Sequence, residues 1–148
     1  MKRIRILVIN GPNLNLLGTR EPETYGRETL ADVEARLRKV AVELDVLIEC
    51  QQSNHEGEII DCIHKGRDRF SGLIINPGGY THTSVAIRDA ISGTGIPALE
   101  VHISNIHARE EFRHHSFIAP VCIGQIAGLG TDGYEWALRA LTARLRRT

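Results

Sequence analysis

The chain has 148 residues, the size of one compact domain, and its 18 Lys+Arg balance 18 Asp+Glu to a formal net charge of zero. That balance leaves no electrostatic footprint for nucleic acid or an anionic membrane surface, and with 5% aromatic residues there is little to stack on single strands. The 42% hydrophobic and 24% charged fractions are those of a globular protein and exclude disorder-based function.

In chain order, Ile4–Asn10 (IRILVIN) reads as a buried strand. Its apolar run, Ile6 to Ile9, is too short for a signal-peptide core, and no run in the chain approaches the ~20 residues that span a bilayer. Residues 11–27 form a Gly-, Pro- and Asn-rich loop, long for a strand-to-helix connection and therefore a functional candidate. Thr29, with Asp32 three residues on, reads as a capping box opening a helix. Leu30, Val33, Leu37, Val40, Ala41 and Leu44 hold its apolar face. Val46–Gln51 is a second strand, and Ser53 with Glu56 repeats the capping-box pattern before a helix carrying Ile59, Ile60 and Ile63. Gly72–Asn76 is a third strand, broken by Pro77-Gly78-Gly79, and Ser84–Ser92 a short helix. Pro97–Ile103 is a fourth strand, Val121–Ile126 a fifth, and Tyr134–Arg146 the last helix, with Arg139, Arg144, Arg146 and Arg147 near its negative end. Five strands alternating with helices predict one domain over residues 1–148, a parallel sheet with helices on both faces. Ligands of such sheets bind outside the carboxyl ends of the strands.

Several chemistries are poorly served. Gly128-Leu129-Gly130-Thr131-Asp132-Gly133 matches a dinucleotide fingerprint, but no further strand follows it, so it reads as a plain strand-to-helix loop. None of the seven histidines stands at zinc-ligand spacing, no nucleophile elbow occurs, and Lys2, Lys39 and Lys65 are badly placed for a Schiff base. Cys50, Cys62 and Cys122 read as small buried hydrophobes in a reducing compartment.

Cofactor-free acid/base chemistry fits the residues at the strand ends. Arg20 and Tyr25 lie between Gly18 and Gly26, and a guanidinium beside a tyrosine would favour the phenolate. The alternative is a packed loop tyrosine and a solvated arginine. Asn76, His82 and Ser84 lead into a helix bearing Asp89; these residues line a pocket mouth or simply cap the helix. Glu100 and His102 are two apart on a strand and so share a face, which makes them either a general acid with its orienting carboxylate or a structural ion pair. Arg109 and Arg113 would face the same way on one helical turn, suited to an anion.

The blocks Asn10–Gly26 (NGPNLNLLGTREPETYG), Gln52–Gly57 (QSNHEG), Asn76–Ser84 (NPGGYTHTS) and Glu100–Arg113 (EVHISNIHAREEFR) together resemble the type II 3-dehydroquinate dehydratases, in order and over essentially the whole chain. Thr24, where an aliphatic residue is expected, is the one small departure. The resemblance implies a flavodoxin-like fold and the dehydration of 3-dehydroquinate to 3-dehydroshikimate, the third step of the shikimate pathway. The elimination would be anti, through an enolate, with no cofactor, metal or Schiff base. It implies Tyr25 as the base, Arg20 as its activator, His102 as the acid oriented by Glu100, and Asn13 holding the water or the oxygen that becomes enolate. Asn76, His82, Asp89 and Arg113 would bind substrate hydroxyls, and the N–H groups of Ile103 and Ser104 its carboxylate. It further implies a cytoplasmic homododecamer built from four trimers, with no nucleic-acid or membrane partner. Two other readings of the same fold fit less well. A flavin or nucleotide module wants a Ser/Thr-dense first loop, and a receiver-like signalling domain wants acidic residues where Asn10 and Asn76 stand.

Overall fold

A computed structural model describes residues 3–19 and 21–148, with the side chains of residues 24 and 25 outside that description. Five strands, β1 (Arg5–Asn10), β2 (Leu47–Gln52), β3 (Gly72–Asn76), β4 (Ala98–His102) and β5 (Gly124–Ala127), form an all-parallel sheet in the order β2-β1-β3-β4-β5. The short α1 (Pro22–Tyr25) lies in the loop after β1, with Pro at its first helical position, where the missing N–H costs nothing. Helices α2 (Leu30–Leu44) and α5 (Asp132–Arg146) cover one face; α3 (Glu56–Gly66) and α4 (Val85–Thr94) cover the other.

Continuous rather than alternating hydrophobicity marks strands buried on both sides. Ile6, Val8 and Ile74 pack on Val33, Leu37, Leu138 and Leu141 of one helix layer. Leu7, Ile9, Leu73 and Ile75 pack on Ile59, Ile63, Ile87 and Ile91 of the other. This alternation also settles where the polar strand ends point. Asn10 and Asn76 continue the rows that face α5, whereas Glu100 and His102 continue the row that faces α4.

The Thr29/Asp32 capping box forms as expected, each side chain bonding the other's backbone N–H at 3.0–3.2 Å. Ser84 caps α4, accepting from the Ile87 N–H at 2.9 Å, and α4 runs to Thr94, two residues beyond expectation, ending at Gly95 with φ 70°. Three expectations are corrected. Ser53 and Glu56 make no capping box: Ser53 hydrogen-bonds Glu58, and His55 is the N-cap without a side-chain bond. The second strand starts at Leu47 because the Val46 N–H is taken by the Ala41 carbonyl at the end of α2. The fifth strand starts only at Gly124. Ahead of it, Pro120 has no N–H for a ladder, and Ser116 Oγ accepts from the Ile118 and Ala119 N–H groups at 2.9–3.0 Å, curling 119–121 into a 3₁₀ turn.

Candidate active site

The order of the sheet reverses between β1 and β3, so a crevice opens at their carboxyl ends. The register lines up Asn10 with Gln52 on one side and with Asn76 on the other. The loops leaving these strands approach closely. A Cβ on Gly11 would sit 2.6 Å from the Pro77 carbonyl oxygen, and Gly78, at φ 58°, lies under Pro12. Only glycine lets the two backbones meet there. Asn13 follows in the left-handed region (φ 71°), which Asn tolerates better than most residues, and it is exposed at this mouth. Its backbone N–H donates to Asn54 Oδ1 at 3.0 Å, Gln52 Nε2 donates to the Gly11 carbonyl at 3.1 Å, and Tyr80 donates to the Asn54 carbonyl at 2.8 Å. The block after β2 thus works as scaffolding: it clamps the loop bearing Asn13 against the loop after β3.

On the α4 side, Glu100 is fully buried and His102 is 5% exposed. His102 Nε2 bonds Glu100 Oε2, to which Thr81 Oγ1 also donates at 2.6 Å, and Ser116 Oγ reaches both carboxylate oxygens at 2.9 and 3.1 Å. Burial alone would push the Glu100 carboxyl up. The bonds from His102, Thr81 and Ser116 and the charge of His102 outweigh it and hold the group below the usual carboxylate range. An ionised carboxylate only accepts, so Nε2 carries a hydrogen and Nδ1 is the ring nitrogen left for chemistry. Donation from Nδ1 requires the imidazolium, whose charge Glu100 balances. The His82 ring stacks on that of His102 with centroids 6.5 Å apart, and its Nδ1 donates to the His115 carbonyl at 2.8 Å, leaving Nε2 without a partner among the described residues.

On the α5 side, Asn76 Nδ2 donates to the Tyr134 hydroxyl at 2.9 Å, Asn76 Oδ1 accepts from the Gly78 N–H at 3.0 Å, and Tyr134 donates to Asn10 Oδ1. All three side chains are buried, and Asn10 Nδ2 has no partner among the described residues. Burial and the loss of hydration it brings push the Tyr134 phenol well above its ordinary value, against the bond from Asn76 that lowers it.

Just past β4, the backbone N–H groups of Ile103 and Ser104 have no protein acceptor among the described residues, which leaves two adjacent donors beside His102. Arg113 is half-buried, paired with Glu110 at 2.6 Å and laid over the Phe112 ring at 4.9 Å. It does not share a helical turn with Arg109 as expected. The extended backbone of Arg109 (ψ −164°) separates two 3₁₀ turns, and its guanidinium instead reaches Ser104 Oγ at 3.4 Å. Asp89 is exposed on α4, and no described hydrogen bond or ion pair joins it to the other site residues. Arg20 and the Tyr25 side chain lie outside the described residues. The structure therefore gathers Asn13, Asn76, His82, Glu100, His102, Ile103 and Ser104 at the strand ends.

Sequence reading misses Ser116 and Tyr134, and it gives Thr81 and Asn54 no role of their own. The hydroxyls carry no local pattern, and Tyr134 looks like any apolar residue of an amphipathic helix. The three thiols are half-buried, and burial pushes Cys50 up to about 11 and Cys122, helped by the Glu100 charge, up to about 12. Among the described residues, no helix is long and apolar enough to cross a membrane, and no group of three His, Cys, Asp or Glu is arranged to hold a metal.

The family model described as dehydroquinase class II matches residues 4–142. A 3-dehydroquinate dehydratase of Gloeobacter violaceus is 60% identical over 97% of this chain and 90% of its own length. That of Variovorax paradoxus is 59% identical over 93% and 97%. The crystal structure of a type II dehydroquinase from Butyrivibrio crossotus superposes with a TM-score of 0.91 at 49% identity, covering 94% of this chain and 97% of that one. The sheet is the flavodoxin-like one of those neighbours.

Proposed function

The chain belongs to the class II dehydroquinase family, lyases that dehydrate 3-dehydroquinate in the shikimate pathway, and on that premise we propose that it does so by anti elimination through an enolate. The observation that carries the reading is the buried Glu100–His102 pair at the end of β4, where, among the described residues, Nδ1 of the ring is unclaimed and two adjacent backbone donors are unpaired. Tyr25, activated by Arg20, takes the proton alpha to the ketone. The C–H electron pair moves into the carbonyl to give the enolate, whose oxygen Asn13 holds directly or through a water. Preorganised donors are what make so weak an acid accessible. The enolate then collapses, the carbon–oxygen bond breaks, and the departing hydroxyl takes its proton from His102 and leaves as water. Asn76, His82, Asp89 and Arg113 bind the substrate hydroxyls, and the Ile103 and Ser104 N–H groups bind its carboxylate.

The reading extends to a single catalytic domain over 1–148 acting in the cytoplasm as a homododecamer of four trimers. Val85, Phe112, Leu129 and Trp136, each more than half exposed, would find cover in such an assembly, and exposed Asp89 would serve a neighbouring subunit's site. Light scattering on the purified protein measures that mass directly. The reaction is tested by adding 3-dehydroquinate to the protein and following the ultraviolet band of the conjugated enone. Formation that survives both EDTA and borohydride supports the mechanism. No enone from the folded protein in its native assembly sinks the activity, and loss on borohydride alone points to a Schiff base.

A further inference from the structure

We propose that Tyr134, a residue of the α5 core face, is a positioning residue that locks the amide of Asn76 so that one N–H and one lone pair face the substrate. The inference rests on the reading of Asn76 as a substrate-hydroxyl ligand and goes beyond it in saying what holds that ligand in place.

The polarity of the network follows from one backbone group. The Gly78 N–H can only donate, so the Asn76 atom 3.0 Å from it is the oxygen. The amide nitrogen must then be the atom 2.9 Å from the Tyr134 hydroxyl, and it donates there. The hydroxyl, already accepting, has its own proton left to give, and Asn10 Oδ1 takes it. Each role fixes the next. A side-chain amide has two donor hydrogens and two acceptor lone pairs. Gly78 occupies one lone pair and Tyr134 one hydrogen. What remains is one donor and one acceptor on a planar group pinned at both ends. A substrate hydroxyl, which also donates once and accepts, matches that pair.

Asn10 bears the cost of this arrangement. Its Nδ2 is buried with no partner among the described residues, an unfavourable state for an amide. A tyrosine serving only to fill the core would need any acceptor for its hydroxyl. Here the hydroxyl is set between the ends of β1 and β3, at the switch point of the sheet, and bonds a side chain from each. Removing the hydroxyl would leave Asn76 pinned only through Gly78, free to swing its nitrogen away from the ligand.

The test is a double-mutant cycle of Tyr134→Phe and Asn76→Ala, read in kcat and KM with 3-dehydroquinate. Phe keeps the ring in the core and removes only the hydroxyl. We expect Tyr134→Phe alone to lower kcat/KM by about five- to tenfold, mainly through a raised KM, as befits one misaligned hydrogen bond. In the Asn76→Ala background the same change should do nothing further to kcat/KM. Full additivity of the two losses would overturn the proposal, because a merely structural tyrosine acts whether or not the amide is there. Asn76→Ala with undiminished kcat/KM would instead overturn the reading of Asn76 itself. Should Tyr134→Phe not fold, Asn10→Ala keeps the tyrosine and removes the acceptor that orients its proton. A loss of kcat/KM in that variant that vanishes beside Asn76→Ala supports the lock, and no loss overturns it.

Discussion

Two buried polar clusters sit at the same edge of the sheet, one on each face, and they are built on opposite principles. Facing α5, Asn10, Tyr134 and Asn76 form a neutral chain in which each of the hydrogen bonds has a fixed direction. Facing α4, Glu100, His102, Thr81 and Ser116 form a charged cluster in which one carboxylate collects three donors. The neutral chain can hold a geometry but cannot exchange a proton near neutral pH. The charged cluster can hand over a proton but needs all its donors to keep a carboxylate stable away from water. Strand backbone thus lies between a cluster suited to fixing one geometry and a cluster suited to carrying a charge.

The sharpest way to break this contrast is His102→Ala, which removes the proposed proton carrier. It should lower kcat by about 10²- to 10⁴-fold. A wild-type kcat would mean that the charged cluster is structural and that protons move elsewhere.

Next in size is Glu100→Gln, expected to cost about 1.5–3 kcal/mol of stability at neutral pH, as a hydrogen bond to a charged group does. The loss is pH-dependent with a definite sign. The folded Glu100 pKa lies below its unfolded value of about 4.3, so its contribution is full above that pH and disappears as pH falls through the folded value. Denaturation curves of the two proteins should therefore converge in acid. Curves that stay parallel down to low pH would show that Glu100 is not held ionised.

Tyr134→Phe should cost less, about 1–2 kcal/mol, and equally from mildly acid to mildly alkaline pH. Its pKa is raised on folding, so the stability it contributes is full below the unfolded value of about 10 and is lost as pH climbs beyond it. The variant should therefore lose part of the wild-type alkaline instability. The charged cluster contributes to the acid limit of the fold, and the neutral chain to the alkaline one. An alkaline limb identical in the two proteins would undo that assignment.

The smallest effect is a reporter built into the molecule. The Cys122 thiol is pushed up mostly by burial and in small part by the Glu100 charge, whereas Cys50 packs in the other core. In Glu100→Gln, native-state alkylation should quicken at most a few-fold at Cys122 and not at Cys50, read by mass spectrometry. Equal acceleration at both would indicate general loosening instead.

Much of this was legible in the sequence, and what was not has physical reasons. Short apolar runs announce β1 and β3, and Thr29/Asp32 announces α2, because those signals are local. Glu100 and His102 could be paired from strand periodicity alone. Ser53 misleads because its Oγ accepts from the His55 N–H and its own N–H is taken by the Asn10 carbonyl, so neither half of the box forms. The fifth strand starts later than its apolar residues from Val121 suggest, because the 3₁₀ turn over Ala119–Val121 holds the backbone there. Thr81 and Ser116 were invisible as members of the Glu100 cluster, lying 19 and 16 residues from it along the chain. Such partnerships are written only in the tertiary fold. Arg20 and the Tyr25 side chain stand where the sequence left them, as expectations outside the described residues.

Tyr134 lies 124 residues from Asn10 and 58 from Asn76 along the chain. A ribosome making this protein places β1, β3 and the whole Glu100 cluster before the last helix exists. Until α5 emerges, the two asparagines lack the hydroxyl that joins them, so the aim of Asn76 waits on the final stretch of synthesis. A nascent chain stalled just short of residue 134 would carry every proposed acid, base and ligand group and still lack the part that aims one of them.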